Sequence, residues 1–390
     1  MRLLVITQDF SPAVGGIETY TTELVHRWAR QAEHVEVVAP NLPEAGSVDA
    51  QLPFPVTRAA TRPDLLPVLG LPTIVRRVRT LQPDVTFHAQ WQTVGAAVLA
   101  RRLTGAPQRI VCAAHGRELL FNPADGMPGL QSTYDALRRL LLRGPDRFTP
   151  VSRYTAGLLH ECGVPPSRCH VVPNGTDPDH YRPFDASPLG KSLGLADGSV
   201  LLTVGRLVPR KGIDTTLHAL PAVLDAVPDL TYLVVGTGPD RDRLERLATD
   251  LGIRSCVRFA GYVDADDLPT YYNLADAFVM PSREAPPDVE GFGIVFLEAG
   301  ACGVPAIGAR TGGIPDAIQE EETGLLVPPS SPHALADTLT HLLTSPALAR
   351  RLGEQARRHA VQEANWDHVA DQLWNVLASV QTTASPTAPL

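Results

Sequence analysis

Two acids stand eight positions apart in the run Glu290-Gly291-Phe292-Gly293-Ile294-Val295-Phe296-Leu297-Glu298. The glycines around Phe292 let the backbone take shapes that a Cβ forbids and let a ligand come close. The apolar run after Gly293 reads as a helix, so its first amides are free and its dipole favours an anion there. Glu298 falls about one turn inside that helix and Glu290 on the loop before it. Carboxylates on both sides of free amides suit a ligand with a phosphate in the middle and hydroxyls at its ends. A buried helix behind a Gly-rich turn, with Glu298 on its wet face, fits the same residues.

Three further groups could act with these acids. Arg206 and Lys211 lie in Gly205-Arg206-Leu207-Val208-Pro209-Arg210-Lys211-Gly212, and Lys191 and Lys211 are the only lysines of the chain. Two cations on a strand-end loop can neutralise a diphosphate and stabilise a departing one, although two exposed surface charges would look alike. Gly15-Gly16-Ile17-Glu18 lies between an apolar run and an amphipathic one. Such a loop presents backbone amides to a phosphate or makes a plain tight connection. It does not fit the G-x-G-x-x-G pattern, so a dinucleotide site is a poor match. His115-Gly116-Arg117-Glu118 directly follows the apolar residues 109–114, where His115 is either a ligand contact or a loop residue.

These residues need strands to end beside one another. Residues 2–7, 34–39, 84–88, 109–114, 148–151 and 169–172 read as buried strands, with helices expected over 19–30, 73–80, 93–103, 131–143 and 154–161. The alternation restarts with strands at 200–204, 231–235, 257–260, 277–280, 305–308 and 324–327, separated by helical stretches. Repeated strand–helix alternation implies parallel sheets covered by helices, with ligands at the C-terminal rims. The fold class expected is α/β, with two doubly wound, Rossmann-like domains facing a cleft. The turn-rich stretch 173–184 marks the boundary, giving domains at 1–183 and 184–364, a last helix at about 365–380 and a frayed tail at 381–390.

At 390 residues, two domains are the expectation, and 44% hydrophobic with 19% charged residues describes a chain that buries a sizeable core. Five scattered cysteines with no zinc-ligand spacing favour a reducing cytoplasm. The apolar run at residues 3–6 is too short for a secretory signal, and no run spans a membrane. The net charge is −8, unevenly shared: residues 1–180 hold 18 arginines against 16 acids. Neither half is basic enough for nucleic acid. The arginine-bearing stretch 131–143 is either a packed helix with a solvated edge or one that lies on an anionic membrane.

The ordered set of motifs resembles the family-4 retaining glycosyltransferases of the GT-B fold. It comprises Gly15-Gly16-Ile17-Glu18, His115-Gly116, Val172-Pro173-Asn174-Gly175, Gly205-Arg206 through Lys211-Gly212, Gly236-Thr237-Gly238, Gly261-Tyr262-Val263, Glu290 through Glu298, and Gly312-Gly313. Residues 205–212 are similar to those of phosphatidylinositol mannosyltransferases. The resemblance implies a nucleotide-diphosphate sugar donor, GDP- or UDP-linked. Gly16 would approach the diphosphate, which Arg206 and Lys211 clamp. Glu298 would take the ribose, and Gly236 and Val263 belong to the donor side, Val263 near the base. Glu290 and the amides of Phe292, Gly293 and Ile294 would hold the sugar. His115 would stand near the reacting centre, with Gly15 and Glu18 on the acceptor side. No metal or cofactor is implied, because the cations and the helix N-terminus take that role. The acceptor would be a glycan, a lipid-linked sugar or a small molecule, and the last helix would return to the first domain. An epimerase, a disaccharide phosphorylase and a non-catalytic sugar-nucleotide binder share the same motifs. The family often has Glu where this chain has Asp316.

Overall fold

The computed structural model describes residues 1–195 and 198–379; the tail expected at 381–390 lies outside the described residues. The chain divides into two units. One comprises Met1–Val172 with the residues from Asp367 onward, and the other Pro173–Trp366. The division falls at 172 rather than 183, because the turn-rich stretch from Pro173 onward is part of the second unit. Within that unit, Thr176 bridges to Asn365, and a Cβ on Gly175 would lie 2.8 Å from the Asn365 carbonyl carbon.

The first unit holds a six-stranded parallel sheet: β1 (Arg2–Ile6), β2 (His34–Ala39), β3 (Val56–Arg58), β4 (Val85–His88), β5 (Arg109–Ala114) and β6 (Arg147–Pro150). The spatial order is β3-β2-β1-β4-β5-β6. Leu3 to Ile6 and Ile110 to Ala114 are buried. Such strands read as continuous apolar runs because helices cover both faces of a parallel sheet. β3 escaped the sequence reading: three half-buried residues at a sheet edge carry little pattern. Residues 169–172 form no strand, and Cys169 makes only an isolated bridge to Phe148. The expected basic helix runs Leu71–Leu81, and the one expected at 131–143 runs Pro128–Leu141, starting earlier on a proline that suits a first turn.

The last helix, Trp366–Ser379, belongs to the first unit from Asp367 on. Trp28 Nε1–H donates to the Ala370 carbonyl at 3.1 Å, and Arg27 Nε to Asp367 Oδ1 at 2.6 Å. Arg109 reaches the carbonyls of Leu377 and Ala378 at 2.9 and 2.7 Å. That cation satisfies the carbonyls that a helix C-terminus leaves open.

The second unit repeats the plan with β7 (Val200–Val204), β8 (Thr231–Val235), β9 (Val257–Gly261), β10 (Ala277–Met280), β11 (Ala306–Ala309) and β12 (Gly324–Val327). The order is β12-β11-β10-β7-β8-β9, all parallel. Its core gathers Leu201, Leu217, Tyr232, Val234, Ile307 and Leu339. The helix after β9 begins at Leu268 behind Asp267, whose side chain makes no cap bond.

Both sheets reverse their strand order once, between β1 and β4 and between β7 and β10. Loops leaving neighbouring strands in opposite directions open a crevice there, at the C-terminal edge where open α/β sheets bind ligands. Gly15 and Gly16, His115, Arg206 and Lys211, and Glu290 follow β1, β5, β7 and β10, while Gly236 and Val263 follow β8 and β9.

Candidate functional site

In the second unit, the loop after β7 makes a tight turn at Pro209–Lys211 that Gly212 closes at φ 69. A Cβ on Gly212 would lie 2.0 Å from the Pro281 carbonyl oxygen, so only glycine lets this loop pass the end of β10. Arg283 N–H donates to the Arg210 carbonyl at 2.8 Å, and the Arg283 guanidinium pairs with Asp214 at 2.8 Å. The two loops are thereby fixed against each other.

This places Lys211 Nζ 2.7 Å from Glu290 Oε2 and Arg210 Nη1 2.6 Å from the same oxygen. All three side chains are largely withdrawn from solvent. Burial alone would raise the Glu290 carboxyl, but Lys211 and Arg210 beside it hold it below the usual range. The Lys211 ammonium is pushed down, first by burial and then by Arg210, although Glu290 opposes the shift. In both shifts two cations share one carboxylate, and burial adds to the lowering at Lys211. The site therefore carries a surplus positive charge in a sheltered place, which a bound anion would neutralise. Arg206, expected to join Lys211, is exposed and has no side-chain partner among the described residues. Arg210 takes the inner position instead.

The helix Ile294–Ala301 follows Phe292 and Gly293, both buried. Its Glu298 is not on a wet face. Tyr272 O–H donates to Glu298 Oε2 at 2.6 Å, and Tyr181 lies close by, its ring packed edge-on against that of Tyr272 at 5.7 Å. Burial raises the Glu298 carboxyl, and the two tyrosines, His180 and Lys211 oppose the shift. Lys211 thus senses both acids of the spaced pair. Gly236 has a packing reason to be glycine, because a Cβ there would lie 2.0 Å from the Gly205 carbonyl oxygen. Val263 is half-buried just beyond β9.

In the first unit, the helix Gly16–Trp28 starts directly after Gly15, with Gly16 exposed and Glu18 in the first turn. His115 follows β5. Its ring packs edge-on against Tyr20 at 4.9 Å, and its Nε2 is shut off from solvent with no partner. Burial pushes this imidazole down to about 4, so it is neutral at physiological pH. Glu118 Oε1 accepts the N–H groups of His115 and Gly116 at 2.6 and 3.3 Å and so fixes the loop. Asp9 lies on the loop after β1 and accepts a hydrogen bond from Gln90 Nε2. Arg210, Tyr272, Tyr181, Asp9 and Gln90 escaped the sequence reading. The neighbour of Lys211 was a recoverable signal; the tyrosines, remote in sequence, were not.

Family models match two segments: "Glycosyltransferase Family 4" over residues 14–180 and "Glycosyl transferases group 1" over residues 191–359. A GDP-mannose-dependent alpha-(1-6)-phosphatidylinositol monomannoside mannosyltransferase of Mycobacterium tuberculosis is 36% identical over 96% of this chain and 98% of its own. The chain belongs to glycosyltransferase family 4. A D-inositol 3-phosphate glycosyltransferase of Rhodococcus erythropolis is 32% identical over 94% of this chain and 87% of its own. Among solved structures, Anabaena HepE in complex with UDP superposes with a TM-score of 0.81 at 22% identity, covering 97% and 100% of the two chains. Sucrose-phosphate synthase of Thermosynechococcus elongatus gives 0.78 at 25% identity over 97% and 98%. The architecture is therefore GT-B, and the protein is a glycosyltransferase that draws its sugar from a nucleotide sugar. No helix among the described residues is long and apolar enough to cross a membrane.

Proposed function

We propose that this glycosyltransferase moves mannose from GDP-mannose, with retention and without a metal, to a hydroxyl of an inositol-containing phosphoglycolipid. The observation that carries the reading is the sheltered surplus cation at Glu290. One carboxylate answers both Lys211 and Arg210, and a diphosphate is the ligand that completes the balance. Arg206 adds a third cation from the surface. Glu290 receives sugar hydroxyls, helped by the amides of Phe292, Gly293 and Ile294 at the helix start. Glu298, oriented by Tyr272, receives the ribose hydroxyls. For Gly16 and the neutral His115 of the first unit, the roles at the diphosphate and the reacting sugar follow the family resemblance alone. Gly15 and Glu18 stand on the acceptor side. The acceptor hydroxyl attacks from the face that the diphosphate leaves, and a diphosphate oxygen takes its proton. The cations stabilise the charge that develops on the leaving group.

The donor and acceptor follow the mannosyltransferase relatives, which match at nearly full length on both sides. A lipid acceptor also suits the helix Pro128–Leu141. None of its residues is buried, and Leu130, Leu137 and Leu140 are 59%, 48% and 60% exposed beside Arg139. Apolar side chains interleaved with arginines bind the inner, anionic face of a membrane. Transfer to D-inositol 3-phosphate is a second reading, favoured by the relatives of that name.

The test supplies GDP-mannose or UDP-glucose, each with phosphatidylinositol monomannoside or D-inositol 3-phosphate, in the presence of a chelator. NMR then reads the anomeric configuration of the product. An α-mannoside on the glycolipid from GDP-mannose is expected. An inverted product, or activity that the chelator abolishes, would overturn the mechanism. Absence of sedimentation with anionic vesicles would remove the membrane face.

A further inference from the structure

We infer that the first unit carries an anion site, at the sheet edge opposite the Gly16 and His115 loops, in which Arg139, Arg143 and Arg168 bind a phosphate monoester. The site needs neither the donor nor the acceptor of sugar transfer, so it stands or falls apart from that reading. Its place follows from the topology. The helix Pro128–Leu141 leads back from the end of β5 to the start of β6, and the helix Arg153–Glu161 returns from the end of β6. Both helices therefore end at the edge where the strands begin, away from the loops that follow β1 and β5.

A cavity of about 240 Å³ lies between those two helix ends. Arg139, Leu142 and Arg143 line it from one end, Glu161 and Cys162 from the other, and Arg168 from the turn beyond. The second helix stops sharply: Gly163, at φ 91, sends its N–H back to the His160 carbonyl at 2.9 Å, and Val164 N–H reaches the Leu159 carbonyl at 3.0 Å. The chain then brings Arg168 to the first helix end, where its Nη1 donates to the carbonyls of Arg143 and Pro145 at 3.1 and 3.0 Å. Those bonds fix the guanidinium and use one of its nitrogens. Among the described residues, the side chains of Arg139 and Arg143 have no hydrogen-bond or ion-pair partner, and Glu161 pairs with none of the three arginines.

Helix C-termini favour cations, which accounts for exposed arginines here. It does not account for Arg138. Its Nη2 donates to Asp135 Oδ1 at 2.8 Å, but its Nε and Nη1 are shut off from solvent with no partner, which is rare in native folds. Burial raises the Cys162 thiol in the cavity wall, and Arg138 and Arg139 oppose the shift, so both charges stand close to the cavity. Three lining cations against the one carboxylate of Glu161 leave a surplus of two positive charges. A phosphate monoester carries about −1.5 to −2 at pH 7, which matches that surplus, and its oxygens suit planar guanidinium forks. A carboxylate or a phosphodiester, with a single charge, leaves half of it unanswered. The monoester is either a soluble phosphate or the headgroup of a lipid, since Leu140, next to Arg139, is 60% exposed.

The experiment titrates inorganic phosphate into the full chain and reads the broadening of its line by phosphorus NMR, with excess GDP present to keep phosphate from Lys211 and Arg210. It compares the wild type with Arg143→Gln, Arg143→Lys and Arg168→Gln, using the thermal melt as the fold control. Loss of one charged donor should weaken phosphate affinity about 10- to 100-fold. Arg143→Lys keeps the charge without the fork and should lose less. No broadening by the wild type, or wild-type affinity in both glutamine variants, overturns the site. Should Arg168→Gln not fold, the Arg143 variants, which lose no contact within the chain, carry the test. Vesicles of phosphatidylcholine mixed with phosphatidic acid or with phosphatidylglycerol then identify the source. Sedimentation that favours phosphatidic acid, is displaced by inorganic phosphate and is lost in Arg143→Gln assigns a lipid headgroup. Phosphate binding without that preference assigns a soluble phosphate. Absence of sugar transfer by the wild type would sink the transfer reading and leave this site standing.

Discussion

Replacing Glu290 by Gln separates two roles of one carboxylate. The amide keeps the shape and accepts a hydrogen bond, but it leaves Lys211 Nζ at 2.7 Å and Arg210 Nη1 at 2.6 Å without a counter-charge. Removing one partner of a buried ion pair costs about 3–5 kcal/mol. The Glu290 side chain keeps 12% of its surface and glutamine retains an acceptor, so about 3 kcal/mol is the fitting figure. For a unit of the size of Pro173–Trp366 that lowers Tm by about 6–12 °C. A diphosphate should restore much of the loss, because it neutralises the same two cations. Calorimetric melts with and without GDP read this directly. The GDP-induced rise in Tm should be larger for Glu290→Gln than for the wild type, while sugar transfer falls, as the proposed anchoring of the sugar by Glu290 requires. A melt within about 1 °C of wild type would refute the buried triad. Loss of GDP binding in step with activity would refute the division of labour between Glu290 and the cations.

Four other outcomes follow from the same geometry. Glu298 has a carboxyl raised by burial, so the wild type loses stability as pH climbs from the usual glutamate range through the raised value. Glu298→Gln should therefore melt no lower than wild type at neutral pH, with an advantage that shrinks in acid, while its donor KM rises. Tyr272→Phe removes the 2.6 Å donor to Glu298 and should cost about 1–3 kcal/mol in denaturant melts. Lys211 has its ammonium lowered in the free protein, and a diphosphate favours the charged form. GDP affinity should thus fall as pH rises through the lowered value, by about tenfold per unit beyond it, and Lys211→Arg should remove that limb in calorimetric titrations. His115, pushed down to about 4, should put no limb near pH 6.5 in the rate profile, and His115→Ala should lower kcat by about a hundredfold without moving GDP affinity.

The sequence by itself determined the layout. Parallel strands buried on both faces must be apolar along their length, so runs such as residues 2–6 and 200–204 announce themselves, and the Gly-rich loops between them mark the rims. The acid pair Glu290 and Glu298, the cation Lys211 and the loops of Gly16 and His115 were legible because their chemistry is local. The half-buried edge strand Val56–Arg58 was not, because an edge leaves little pattern to read. Only the tertiary structure decided which groups meet. Arg206 and Arg210 are equivalent on paper, and the turn closed by Gly212 against Pro281 sends Arg210 inward and leaves Arg206 outside. The run alone leaves Glu298 either beside a ligand or on a wet face, and in the fold it is half-buried with Tyr272, remote in sequence, donating to it. Asp9, Gln90 and Glu118 carry no shared motif. They are brought together by a strand order, β1-β4-β5, that hydrogen bonds between distant segments create and that no local pattern encodes.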